Sequence, residues 1–119
     1  MNTHLETKAL FAGYNPADNH GAVKPPMHPA STFVFPSAAV GAAHMETAYG
    51  VYGAETPPEG GFIYSRLGNP TLSVAETRLA AWDESDAAAF FASGMAAIST
   101  MLFALTGPDK PIWYVGPLY

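Results

Sequence analysis

Ser93, Gly94 and Met95 are the residues of this sequence best suited to hold an anion. They lie between a predicted strand and a predicted helix, where the free N–H groups and the dipole of a helix start favour negative charge. Gly94 lets the backbone approach a ligand closely, and the Ser93 hydroxyl is an additional donor. Small residues at such turns also occur for packing reasons, so this pattern alone allows both interpretations.

Tyr64-Ser65-Arg66 forms a second candidate group, just before the first regular helix. The planar guanidinium of arginine matches phosphate geometry, and tyrosine adds a hydroxyl donor. Arg66 and Arg78 are the two arginines of the chain, so a phosphate site has few candidates. The alternative is a surface loop that contains an arginine.

Tyr119 is a third candidate, because it follows a predicted strand end, where parallel sheets place their ligands. Its ring could stack on an aromatic cofactor or serve packing alone. No metal site is predicted, since there is no cysteine and the four histidines lack ligand spacing. We expect those histidines to be solvated. Walker and Rossmann glycine motifs are absent.

The elements that position these candidates begin at Asn69-Pro70, a pair that can cap a helix and open its first turn. An apolar stripe at helical spacing follows, formed by Leu72, Ala75, Leu79 and Trp82. The pattern then predicts a buried strand at 87–92, a buried helix at 95–105 and a second strand at 112–115. This order indicates a βαβ unit and an α/β fold with a parallel sheet. The alanine-rich segment 87–92 could instead be helical.

Residues 1–62 differ from the rest, since they hold seven of the eleven glycines and seven of the eleven prolines. Such an irregular segment is rarely a core by itself and is often laid across a neighbour. Within it we expect an extended piece at 31–35 and a short helix at 38–45.

Composition excludes several classes of protein. Hydrophobic residues make up 49% of the chain, which is too apolar a composition for a disordered protein. Charged residues make up 13%, a smaller fraction than is usual for a domain that is fully exposed to solvent. Net charge is −5 with five basic residues, so nucleic-acid and anionic-membrane partners are not expected. We identify neither a signal peptide nor a membrane-spanning run.

Taken together, the motifs resemble the PLP-dependent (pyridoxal-phosphate) Cys/Met metabolism, or trans-sulfuration, enzymes: methionine γ-lyase, cystathionine γ-lyase, cystathionine γ-synthase and O-acetylhomoserine sulfhydrylase. The stretch 64–71, YSRLGNPT, is similar to their Y-[ST]-R-x-x-N-P-T signature. The stretch 92–98, ASGMAAI, is similar to their phosphate-cup motif, and 116–119, GPLY, to the segment of their cofactor-stacking tyrosine. Residues 21–26 and 31–33 resemble the end of their N-terminal arm.

This resemblance implies PLP fold type I, as in aspartate aminotransferase, with an arm at 1–62 on a neighbouring subunit and the start of the large cofactor domain at 63–119. Ser93, Gly94 and Met95 would bind the PLP phosphate. Tyr64 and Arg66 would reach the phosphate of the neighbouring subunit's cofactor, and Tyr119 would stack on the pyridine ring and help move protons. The implied assembly is a cytoplasmic homotetramer, a dimer of dimers.

Two departures from the family stand out. His28 occupies a position where many relatives have tyrosine, and the stretch 49–61 is longer than in many of them. A third concerns Lys8, Lys24 and Lys110, none of which lies in the family's lysine motif. We therefore expect the chain not to catalyse alone, but to need the remainder of the enzyme with the Schiff-base lysine.

Three functions remain open. The first, which we favour, is part of a carbon–sulfur lyase that eliminates the γ-substituent of methionine- or cystathionine-type substrates, with replacement of the γ-substituent of an activated homoserine as its alternative. The second is a truncated, non-catalytic assembly partner. The third is a general binding module for phosphate ligands.

Overall fold

The computed structural model describes residues 4–51 and 61–118 of the protein. The chain divides into two compact units, residues 1–88 and residues 89–119. The described helices are α1 (Leu5–Phe11), α2 (Ala38–Ala48), α3 (Pro70–Trp82) and α4 (Gly94–Leu105), together with a 3₁₀ helix at Pro16–Asn19. None of the helices in the described ranges is long and apolar enough to cross a bilayer.

In the first unit, α3 begins where the sequence predicts. Asn69 is its N-cap, and the Asn69 Oδ1 atom accepts a hydrogen bond from the N–H of Thr71 at 2.9 Å. Pro70 is the first helical residue, a position where the missing N–H of proline costs nothing. The helix ends at Trp82, before the polar segment 83–86. The predicted capping and helix are therefore confirmed.

Helix α1 was not predicted, because the arm was expected to be irregular there. It has seven residues and no side-chain cap at His4, so its own propensity is weak. Packing against α3 supplies the missing stability. Gly13 follows α1 with φ +70°, and a Cβ at Gly13 would lie 2.8 Å from the Cβ of Thr77. Glycine thus allows the end of α1 to close against α3.

Helix α2 confirms the helix predicted at 38–45 and extends it to Ala48. Its N-cap is Ser37, whose Oγ accepts from the N–H of Val40 at 3.3 Å. His44 is buried in this helix, and its ring stacks on Phe35 with centroids 5.2 Å apart. The expectation of a solvated histidine is therefore wrong for His44, since the aromatic ring of Phe35 shields it from water.

The extended piece expected at 31–35 pairs with the segment that precedes α3. Thr32 and Tyr64 form an antiparallel bridge, with the Ser65 N–H donating to the Ser31 carbonyl at 2.9 Å. The rings of Phe33 and Phe62 lie beside this bridge, 5.6 Å apart. The pairing joins the arm directly to the YSRLGNPT stretch.

In the second unit, α4 confirms the helix predicted at 95–105 and starts one residue earlier. None of its residues is buried, so the predicted burial is wrong for this chain. Phe103, for instance, is 84% exposed. A helix that is apolar on all sides needs cover on all sides, and the described part of this unit does not supply it.

The strands predicted at 87–92 and 112–115 are absent from the described structure. Its β-pairing consists of two isolated bridges, Thr32 with Tyr64 and Gly107 with Lys110. A strand needs a neighbouring strand to satisfy its backbone N–H and C=O groups, and no parallel neighbour forms among residues 4–51 and 61–118. The apolar patterns are present, but the sheet expected of an α/β fold is not.

Candidate cofactor phosphate site

The N-terminus of α4 presents the first candidate group, in the unit of residues 89–119. Ser93 is the N-cap in extended conformation, and its Oγ accepts a hydrogen bond from the N–H of Ala96 at 3.1 Å. The Ser93 carbonyl accepts from the N–H of Ala97, also at 3.1 Å. The hydroxyl proton of Ser93 is left available, because capping uses only an oxygen lone pair.

Gly94 and Met95 supply the remaining donors at this helix start. The first N–H groups of a helix have no acceptor within the helix, and those of Ala96 and Ala97 are already bonded to Ser93. A Cβ built on Gly94 meets no atom within 4 Å. Two free N–H groups therefore border open space, an arrangement that suits a phosphate or carboxylate.

The second candidate group is the turn Tyr64–Gly68, in the unit of residues 1–88. The Tyr64 carbonyl accepts from the N–H of Leu67 at 2.8 Å and from that of Gly68 at 3.1 Å. This double acceptance closes a tight turn, with Tyr64 and Arg66 on its exposed side.

Arg66 and Tyr64 contact each other across this turn. The guanidinium carbon of Arg66 lies 5.2 Å from the centroid of the Tyr64 ring, within the range of a cation–π contact. Tyr64 is 39% exposed. In the described part of the chain, neither the Tyr64 hydroxyl nor the Arg66 guanidinium has a hydrogen-bond partner, so their polar atoms face solvent. The N–H groups of the guanidinium are therefore available to an anion.

A set of hydrogen bonds locks this turn to the arm, a feature that the sequence analysis missed. The amide nitrogen of Asn69 donates to the His28 carbonyl at 3.0 Å and to the Ser65 Oγ at 2.9 Å. The Ser65 hydroxyl donates to the Ala30 carbonyl, and Thr71 Oγ1 accepts from the His28 N–H at 2.9 Å. The polar residues of YSRLGNPT therefore hold residues 28–31 of the arm.

Asn69 therefore does more than the ordinary turn and cap that its sequence context suggests. It is 8% exposed, and a buried amide must find partners for its N–H groups as well as its oxygen. The Asn-Pro cap was visible in the sequence. The partners of the amide nitrogen were not, because His28 lies 41 residues away along the chain.

The backbone of His28 takes part in these hydrogen bonds. Its N–H and carbonyl bond Thr71 and Asn69. Its ring Nδ1 is buried and has no hydrogen-bond partner among the described residues. The bonds that His28 makes to Thr71 and Asn69 are main-chain bonds and do not depend on its side chain.

The described structure thus brings together Tyr64 with Arg66, and Ser93 with Gly94 and Met95. Each group lies in its own unit. Tyr119 lies outside the described residues, so its stacking and proton-transfer roles stay predictions. Among residues 4–51 and 61–118, no group of three His, Asp or Glu side chains could hold a metal ion.

Comparison with known proteins decides the family. Residues 6–119 match the family described as Cys/Met metabolism PLP-dependent enzyme. The chain belongs to this family. The family resemblance drawn from YSRLGNPT and ASGMAAI is therefore confirmed, and with it pyridoxal phosphate as the family's cofactor.

Three relatives illustrate the similarity. L-methionine gamma-lyase of Pseudomonas deceptionensis is 37% identical over 118 residues, which cover 99% of this chain and 27% of the relative. L-methionine gamma-lyase of Pseudomonas putida is 36% identical over 113 residues, covering 95% and 26%. Cystathionine gamma-synthase of Mycobacterium tuberculosis is 39% identical over 106 residues, covering 89% and 23%. The chain thus spans about a quarter of the length of these relatives.

The helix start of α4 fits the phosphate of pyridoxal phosphate. That group is a dianion near neutral pH, with oxygens that need several donors. Two free N–H groups and one hydroxyl converge at the open side of Gly94. The donors at this helix start suit the negative charge of a phosphate group. The Arg66 guanidinium and the Tyr64 hydroxyl, in the other unit, are a separate candidate group of phosphate donors.

Proposed function

We propose that this chain is the N-terminal part of a PLP-dependent enzyme of sulfur amino-acid metabolism that eliminates the γ-substituent of methionine- or cystathionine-type substrates. The free N–H groups of Gly94 and Met95 at the capped start of α4 are the observation that carries the cofactor part of this proposal. Similarity to two proteins named L-methionine gamma-lyase supports the choice of elimination.

In this proposal, Ser93, Gly94 and Met95 anchor the cofactor phosphate. Tyr64 and Arg66 reach the phosphate of the cofactor in a neighbouring subunit, within a cytoplasmic dimer of dimers. Tyr119 stacks on the pyridine ring and helps to carry protons between substrate positions. When bound, pyridoxal phosphate acts as the electron sink for carbanion chemistry. The lysine that holds it belongs to the remainder of the enzyme.

The proposed reaction has a simple balance. Methionine and water give methanethiol, ammonia and 2-oxobutanoate, after loss of the α and β protons and cleavage of the bond from Cγ to sulfur. The second candidate is γ-replacement, in which a thiol takes the place of the leaving group of an activated homoserine. Identity of 39% to a protein named cystathionine gamma-synthase favours that alternative.

The test uses the full-length enzyme that the proposal implies. One reaction contains methionine, and a second contains O-acetylhomoserine with cysteine. Release of methanethiol and 2-oxobutanoate from methionine supports elimination. Formation of cystathionine without net 2-oxobutanoate supports replacement. A protein that binds pyridoxal phosphate but turns over neither mixture would contradict both.

The role of Arg66 has its own test. Arg66→Ala removes a charged, potentially bidentate donor, and such bonds contribute about 1.5–3 kcal/mol each. We expect the dissociation constant of pyridoxal phosphate to rise by about 10- to 100-fold. Pyridoxal, which lacks the phosphate group, should bind the variant and the parent with equal affinity.

A further inference from the structure

Asn69 makes three hydrogen bonds with two distinct purposes. Its Oδ1 caps α3 by accepting from the Thr71 N–H. Its amide nitrogen donates to the His28 carbonyl in the arm and to the Ser65 Oγ in the Tyr64–Gly68 turn. One buried side chain therefore touches the arm, the turn and the helix.

This side chain is one of several attachments between the turn and the arm. Ser65 lies between the two proposed phosphate ligands, and its hydroxyl is shared between Asn69 and the Ala30 carbonyl. The Ser65 N–H and the Phe33 N–H complete the attachment by donating to Ser31 and Ile63. The side chains of Tyr64 and Arg66, in contrast, bond no described residue. Their position follows from the backbone of the turn and from their mutual contact.

We propose that Asn69 is a positioning residue for phosphate binding. Its amide nitrogen ties residues 28–31 of the arm to the Tyr64–Gly68 turn and so fixes Tyr64 and Arg66 before the ligand arrives. A donor pair placed in advance spares the ordering cost that would otherwise reduce affinity. This inference rests on the proposed function, because it takes the phosphate role of Arg66 as given.

Asn15 offers a matched control within the same chain. It too is an asparagine N-cap followed by proline, and its Oδ1 accepts from the Ala17 N–H at 3.1 Å. Its amide nitrogen, however, donates to Asp18 in the same turn, at 3.0 Å, and it is exposed. Serine is about as good an N-cap as asparagine. Asn15→Ser and Asn69→Ser therefore both preserve a cap, and only Asn69→Ser removes a long-range tie.

The experiment uses the full-length enzyme with Asn69→Ser, Asn15→Ser, Arg66→Ala and the double variant of Asn69 and Arg66. Dissociation constants of pyridoxal phosphate and pyridoxal are measured on the apoprotein by equilibrium dialysis. Hydrogen exchange at the Phe33 and Ser65 amides reports the attachment of the arm. Ser65→Ala, which removes the other side chain of the tie, is the second variant if Asn69→Ser does not fold.

We expect Asn69→Ser to weaken pyridoxal phosphate binding about tenfold, because Tyr64 and Arg66 would then be ordered only when the ligand binds. Pyridoxal binding and the Asn15→Ser variant should remain at parent values. Exchange at Phe33 and Ser65 should accelerate. In the Arg66→Ala background, Asn69→Ser should have a smaller effect than in the parent, because only Tyr64 is then left to be positioned.

Two results overturn the inference and leave the proposed function standing. In the first, Arg66→Ala weakens binding and Asn69→Ser does not. In the second, Asn69→Ser weakens pyridoxal and pyridoxal phosphate equally, which indicates a general structural role. If Arg66→Ala itself leaves phosphate affinity unchanged, the role given to Arg66 in the proposed function is wrong, and the inference fails with it.

Discussion

The guanidinium of Arg66 lies over the ring of Tyr64, with the Arg66 Cζ 5.2 Å from the ring centroid. The N–H groups of this guanidinium have no hydrogen-bond partner among the described residues. A phosphate ligand could therefore be bound without breaking the pair. The two residues act as one preformed unit, and substitutions of one should affect the other.

Tyr64 contributes a ring and a hydroxyl, which two variants separate. Tyr64→Phe retains the face on which Arg66 lies and removes the hydroxyl donor. We expect pyridoxal phosphate affinity to fall about tenfold, the value of one hydrogen bond to a charged group. Tyr64→Ala should reduce affinity further, because the cation–π contact contributes about 0.5–1 kcal/mol at an exposed site. Equal affinities of the two variants would show that the contact has no part in binding.

Gly94→Ala tests whether the open space at the start of α4 serves a ligand. The added methyl meets no atom of the described protein, so folding should be unaffected. A phosphate approaching the N–H groups of Gly94 and Met95 would meet it, so binding of pyridoxal phosphate should weaken. Gly107→Ala is the matched control, since its Cβ also has nothing within 4 Å. Unchanged binding in Gly94→Ala would contradict the phosphate site.

Ser93→Ala removes both the cap of α4 and a proposed donor to phosphate. Loss of a serine cap costs about 1 kcal/mol of stability. Ser37→Ala removes the equivalent cap from α2, where no phosphate site is proposed. Urea unfolding should show similar losses in both variants, while only Ser93→Ala should weaken binding of pyridoxal phosphate. If Ser93→Ala and Ser37→Ala had the same effect on both stability and binding, Ser93 would act only as a helix cap.

Gly13→Ala tests the closure of α1 against α3. Alanine at φ +70° is strained, at about 1–2 kcal/mol. Its Cβ would also overlap Thr77, which adds about 1–3 kcal/mol. Gly21→Ala has a similar φ of +78° and nothing within 4 Å, so it should show the strain alone. The difference between their unfolding free energies measures the α1–α3 packing, and a difference of zero would indicate that the end of α1 moves away freely.

Local structure followed from the sequence because its causes lie within a few residues. Asn69-Pro70 and Ser93-Gly94 predict helix starts. In each case the capping oxygen accepts a hydrogen bond from an N–H only two or three residues further along the chain. The helical spacing of apolar residues in 72–82 predicts the body of α3. The motifs around these two starts were also sufficient to identify the family.

Long-range structure did not follow from the sequence. Helix α1 is short and has no side-chain cap, so its sequence does not predict it. Its packing against α3 stabilises it. The apolar segments 87–92 and 112–115 have strand composition, yet form no strand among the described residues, because a strand exists only through its neighbours.

The sequence by itself determined the family and the capped starts of α3 and α4, and it predicts which residues would meet a phosphate. Only the tertiary structure decided how the arm is held. The N–H and carbonyl of His28 bond Thr71 and Asn69, 43 and 41 residues further along. No local propensity encodes such a pairing, because its free energy is gained only when the two segments meet and bury the Asn69 amide together.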